Sequence, residues 1–167
     1  AVAHYRLNTA TAGTFDFTLA GNVNKIKVER HITGVAGALI PPTALFVRSR
    51  ILTIEQGTPG EKLTGTVDWS LDKIGALARV TYYGNVNQPG TTPAADINTG
   101  RHAITDFELR YQAPKGAQIG IGVSNLFDVY PDRTIAANNS TGVVGFPYFS
   151  PFGFNGRYIY ARVGLNW

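Results

Sequence analysis

Apolar and polar residues alternate along most of this chain with a period of two. The pattern is cleanest at the C-terminal end. There Ile159, Ala161, Val163, Leu165 and Trp167 fall on one side, and Tyr158, Tyr160, Arg162, Gly164 and Asn166 on the other. Successive side chains of a strand point to opposite faces, so the pattern predicts a strand over 156–167 with one apolar and one polar face. The same alternation predicts strands over Ala1–Leu7, Thr14–Asn24, Lys62–Leu71, Ile74–Tyr83, Arg101–Gln112 and Ala117–Ser124. In the second, Phe15, Phe17, Leu19 and Val23 oppose Asp16, Thr18, Asn22 and Asn24. In the fifth, Ala103, Thr105, Phe107, Leu109 and Tyr111 oppose His102, Asp106, Glu108, Arg110 and Gln112. The fourth is the least regular: setting Ala76, Ala78, Val80 and Tyr82 on the apolar face puts Leu77 among the polar positions.

Short and long connections take turns between these segments. Asn8–Gly13, Asp72–Lys73 and Ala113–Gly116 have turn composition, whereas Lys25–Glu61, Gly84–Gly100 and Asp128–Asn155 are long and rich in Gly, Pro, Thr or Asn. Such a rhythm predicts an all-β, antiparallel up-and-down meander of about seven strands, with one short-turn side and one long-loop side. A short helix within Thr43–Glu55 is the one helical candidate, weakened by its β-branched content. The segments approach the roughly 9–11 residues of a tilted membrane-crossing strand. Trp69, Tyr111 and Trp167 lie near short-turn ends, where a bilayer interface favours amphipathic rings. The competing reading is a soluble all-β module that binds a ligand or carbohydrate, its polar face being simply the solvent side.

Composition narrows the field further. Gly 19, Tyr 8 and Phe 9 suit β structure with many turns. The absence of Cys excludes disulfides and thiolate metal sites. A formal net charge of +4 with scattered basic residues ranks nucleic acid low. No apolar run reaches the ~18–20 residues of a membrane-spanning helix.

No catalytic constellation is visible, and an enzyme is not expected. His4, His31 and His102 are far apart, with no metal-binding spacing, and neither metal nor cofactor is expected. Asp106 and Glu108 share a face about 6–7 Å apart. Paired carboxylates suit acid–base work or a cation, but the stronger reading is structural, with Arg110 and Arg162 as partners across the sheet. The cluster Phe146, Tyr148, Phe149, Phe152 and Phe154 in the last long loop either grips a ligand or packs the loop on itself.

The segment Ile121-Gly122-Val123-Ser124-Asn125-Leu126-Phe127-Asp128-Val129-Tyr130-Pro131 resembles the Gly-x-x-Asn-Leu-Phe-Asp signature near the end of TonB-dependent outer-membrane receptors. Pro151-Phe152-Gly153-Phe154-Asn155-Gly156-Arg157 and the final stretch from Tyr160 to Trp167 resemble that family's last loop and last strand. Ala12–Asn24, and the blocks Asp68–Leu71 and Tyr83-Gly84, are similar to its late strands. Trp167 stands where Phe is commoner.

The resemblance implies that the chain, residues 1–167, is the C-terminal segment of a receptor whose barrel has about 22 strands. The plug domain and earlier strands would lie outside this sequence, which starts Ala1-Val2-Ala3-His4 like a cut. It implies active transport of a scarce nutrient, of siderophore, haem, vitamin or glycan class, across a bacterial outer membrane. Implied partners are the remaining barrel and plug, the TonB complex through that plug, outer-membrane lipid and the barrel-assembly machinery. Trp167 would belong to the assembly signal. Asp106, Glu108, Arg110 and Arg162 would face the lumen, and the loop aromatics would meet substrate. A stand-alone barrel would instead need an eighth strand hidden in Lys25–Glu61.

Overall fold

The computed structural model describes residues 1–29, 46–139, 143 and 145–165. Among these the elements run β1 (Val2–Thr9), β2 (Gly13–Val23), α1 (Arg48–Gln56), β3 (Glu61–Leu71), β4 (Ile74–Tyr83), β5 (Val86–Gln88), β6 (Ile97–Thr99), β7 (His102–Gln112), β8 (Ala117–Ser124) and β9 (Tyr158–Leu165). Seven of the strands form one sheet in the order β1-β2-β3-β4-β7-β8-β9, each antiparallel to its neighbours. The sheet is therefore the up-and-down meander that alternation predicts. β5 and β6 pair separately as a small ribbon inside the connection from β4 to β7.

The register carries the hydrophobic pattern across the whole sheet. One row reads Tyr5, Phe17, Val67, Ala78, Phe107, Val123, Ile159; the next row along the strands reads Arg6, Asp16, Asp68, Leu77, Glu108, Gly122, Tyr160. A slip of one residue would move every side chain to the other face. Leu77 does sit in a polar row, as the irregular fourth segment required.

Among the described residues nothing covers the apolar face. Leu109 is 51% exposed, Ile121 60% and Ile159 70%. Among the described residues the buried apolar side chains are Val86, Ala95 and Ile97 in the β4–β7 connection and Pro131 and Pro147 in the last loop. A two-layer sandwich would bury one face of each strand against another layer. Here the buried side chains belong to the end loops, and the apolar rows of the sheet stay exposed. The Trp69 indole at the turn end donates to the carbonyl of Ala12 at 2.7 Å, which satisfies its polar edge while the ring stays on the apolar face.

Three details depart from the expectations. β1 runs on to Thr9, and β9 begins at Tyr158 rather than Gly156. The connection Lys25–Glu61 contains a helix that starts at Arg48, beyond the expected Thr43; it lacks a side-chain N-cap and an acidic first turn, so the usual start signals are missing. Gly84–Gly100 is not a plain loop but holds the β5–β6 ribbon. β2 and β3 pair directly, so a strand from 25–60 has no place between them. Trp167 and the stretch 30–45 lie outside the described residues.

Candidate functional site

The polar face is a wall of paired charges. Glu108, 8% exposed in the middle of β7, accepts hydrogen bonds from Tyr160 Oη at 2.9 Å and from Arg162 Nε and Nη2 at 3.1 and 2.6 Å. Both donors stand on β9, with β8 between. They cross it because β8 offers only Gly120 and Gly122 there. A Cβ on Gly122 would lie 2.3 Å from Tyr160 Cζ, and one on Gly120 would lie 3.0 Å from Arg162 Nε. Arg110 donates to Asp68 on β3, across β4. Arg6 donates to Asp16 at 2.6 and 3.1 Å, and His4 Nε2 lies 3.3 Å from the same carboxylate. Asp106 instead accepts the backbone N–H of Asn125 at 3.0 Å.

Of the four polar-face charges singled out in the sequence, Glu108, Arg110 and Arg162 thus sit in ion pairs, while Asp106 holds a turn. Asp106 and Glu108 do not face a common empty site, and among the described residues no group of three or more His, Asp or Glu side chains converges. The arrangement neutralises charge rather than presenting an acid–base pair.

The loop end is built around the Asn125–Tyr130 turn. Asn125 (φ 54) and Asp128 (φ 58) take left-handed backbone, which Asn and Asp tolerate better than most residues. The Asn125 side chain accepts from Val129 N at 2.9 Å and donates to Val129 O at 2.7 Å, closing the turn. Leu126 N donates to Thr105 O at 2.7 Å, and Asp128 accepts Arg157 N at 2.7 Å. The turn therefore ties together β7, its own strand β8 and the start of β9.

Beyond the turn, the candidate aromatics divide. Phe146 stacks between Tyr130 and Phe154, at 5.7 and 5.9 Å between centroids. Phe152 lies against Tyr83 and His102, at 5.7 and 5.3 Å. Phe149 is half-buried, with its backbone N–H on Gln88. Tyr148 is 74% exposed and Phe154 56%. Tyr130, Tyr83, His102 and Asp132 complete this cluster. No spacing in the sequence marks them, because they come from three different elements.

The three loops also touch one another. Arg48 at the start of α1 pairs with Asp96, Asn87 donates to Gln56 at 3.0 Å, and Asn138 donates to Ala95 O. The hydrogen bonds from the Arg48 guanidinium, and then from Gly90 N at 2.9 Å, hold the Asp96 carboxyl below the usual carboxylate range, against the opposing effect of burial.

No family model matches the chain. In sequence it is similar to the ferric enterobactin receptor of Pseudomonas aeruginosa, 32% identical over 96 residues that make up 53% of this chain and 12% of that receptor. In fold it matches crystal structures of the same receptor. A point mutant gives a TM-score of 0.56 at 20% identity, covering 97% of this chain and 21% of that one. A second mutant, in complex with enterobactin, gives 0.55 at 20% identity, covering 96% and 21%. At that identity the likeness is one of fold, and the chain spans only a small part of its relative's length. In fold over nearly all its length, and in sequence over half of it, this chain is similar to part of the barrel of a TonB-dependent outer-membrane receptor.

Proposed function

We propose that this chain is the C-terminal wall of a TonB-dependent receptor that takes up a scarce nutrient, of siderophore class, across a bacterial outer membrane. The observation that carries the reading is the apolar face: seven strands in unbroken register expose it, with no second layer on it among the described residues. Lipid is the environment in which such a face is stable, provided the sheet closes so that no backbone edge is left bare. β1 and β9 are the two edges of this sheet. On this reading they pair with the remaining strands of a barrel of about 22, residues 1–167 form one barrel segment, and a plug fills the lumen.

The paired charges Glu108–Arg162 and Asp68–Arg110 then line the lumen, and the three long loops face outward. Tyr148 and Phe154 present the free aromatic surface for substrate, while Phe146, Phe149 and Phe152 support it. The chain performs no chemistry; energy arrives from the TonB complex through the plug. On this reading Trp167 belongs to the signal that the barrel-assembly machinery receives, and outer-membrane lipid surrounds the wall. The siderophore class is favoured because the similar receptor carries ferric enterobactin in its name.

The test is expression with and without detergent, followed by membrane fractionation of cells that carry the full reading frame. Recovery in the outer membrane, with folding only in detergent or lipid, is the expected result. A monodisperse soluble monomer without detergent would overturn it in favour of a soluble binding module. Growth on ferric siderophores under iron limitation, with and without the gene, tests the nutrient class separately.

A further inference from the structure

The sheet is not of even height at its loop end. β7 pairs with β4 as far as Tyr83–His102, but with β8 only as far as Phe107–Val123. About four residues of β7, roughly 13 Å of strand, therefore extend past the end of β8. The last loop lies along that flank. Leu126 N donates to Thr105 O at 2.7 Å, and Asp132 accepts Gly100 N at 2.7 Å. The Phe152 ring packs edge-on against His102.

One group in this seat is unsatisfied. His102 Nε2 is buried and lacks a hydrogen-bond partner. A buried polar atom left in that state costs stability unless conditions supply a partner. The nearest charge is Asp132 Oδ2 at 3.8 Å, about an ångström too far for a good bond. We propose that His102 and Asp132 form a proton-operated latch that seats the last outer loop on the bare flank of β7.

An imidazole that takes up a proton gains a full charge and a second donor. Drawing Asp132 inward by an ångström would then satisfy Nε2 and pull the loop down. Loss of the proton leaves the atom unpaired and the loop more easily lifted. The other charges around His102 are already engaged. On β4, Tyr83 carries Lys62 Nζ over its ring at 5.0 Å. Arg101, beside His102, is 3.6 Å from Glu61. The loop contributes Asp132 and the uncharged Phe152, so Asp132 is the anion available to answer the proton. The latch lies wholly within this chain and stands whether or not a siderophore is the cargo.

The experiment is hydrogen–deuterium exchange over 126–139 and 145–157 in the complete receptor, purified in detergent. Wild type, His102→Gln and Asp132→Asn are compared at pH 5.5 and 7.5, with rates corrected for the intrinsic pH dependence of exchange. The expected result is several-fold slower exchange at pH 5.5 in wild type, with that difference lost in both variants. Equal protection at the two pH values in wild type, or an unchanged pH difference in His102→Gln, would overturn the proposal. Should His102→Gln fail to fold, as judged by its heat-modifiable mobility, persistence of the pH difference in Asp132→Asn overturns it and its loss upholds it.

Discussion

Arg162 on β9 reaches Glu108 on β7 across an intervening strand, with its Nε and Nη2 3.1 and 2.6 Å from the two carboxylate oxygens. The fork is bidentate, a geometry that fixes direction as well as distance. It exists because β8 contributes glycine at 120 and 122, so the arginine and Tyr160 lie flat across the backbone. Gly122→Val puts atoms where the Tyr160 ring now sits and lifts both donors off Glu108. The expected cost is about 1–3 kcal/mol, as for other overpacked positions. It would be read as a lower midpoint of heat-modifiable mobility, and an unchanged midpoint would show that the crossing contributes nothing.

The base of the last loop makes a sharper demand on one residue. Gly156 has φ +70, and a Cβ there would lie 2.1 Å from Tyr130 Oη and 2.6 Å from Asp128 Oδ1. Gly156→Ala adds backbone strain of about 1–3 kcal/mol and breaks the Asp128–Arg157 bond that closes the loop. Trypsin is expected to cut at Arg133 and Arg157 several-fold faster in this variant, with the strands still protected. Equal cleavage rates in variant and wild type would contradict the clamp.

The two findings differ in how far the sequence announced them. Strands, faces and the meander were legible because alternation against a register of whole strands tolerates single exceptions such as Leu77. The Asn-Leu-Phe-Asp segment was legible as a family mark but not as a clasp, since its partners Thr105, Asp106 and Arg157 stand on other elements. The pairing of Arg162 with Glu108 was open to expectation only as charge complementarity; that it spans β8 depends on strand order and on two glycines. The β5–β6 ribbon escaped because Val86 and Ile97 lie in segments of three residues, too short for any period to declare itself. The helix was legible as a candidate within Thr43–Glu55, but its start at Arg48 was not, for want of a cap.

The Arg48–Asp96 pair joins the first long loop to the second, and its pH response has a definite sign. The Asp96 carboxyl is held below its usual range in the folded chain. Its contribution is therefore fully present above the unfolded carboxylate value of about 3.9, and is lost only as pH falls through the lower folded value. Exchange of the α1 amides, corrected for intrinsic rates, should stay constant from pH 7 to about 5 and rise only in stronger acid. Asp96→Asn should give that faster exchange already at pH 7. A rise in wild type between pH 7 and 5 would assign the linkage to some other group.

The membrane reading makes opposite demands on residues of neighbouring rows on the two faces of the sheet. Phe107 and Thr66 occupy opposite faces, at mid-height of β7 and β3. If the apolar face meets lipid, Phe107→Arg places a cation near the bilayer midplane at a cost of about 2–4 kcal/mol. The variant should reach the outer membrane poorly and unfold earlier. Thr66→Arg adds the same charge on the polar face, beside Thr18 and Arg79 in its row. There a lumen side chain keeps its water, so the effect should be small. In a soluble module the order reverses for Phe107, because charging a residue 36% exposed to water costs little and relieves an apolar patch. Measuring both variants for outer-membrane recovery and unfolding midpoint separates the two cases. A Phe107→Arg chain that folds as well as its Thr66→Arg counterpart would remove lipid from the account of this sheet.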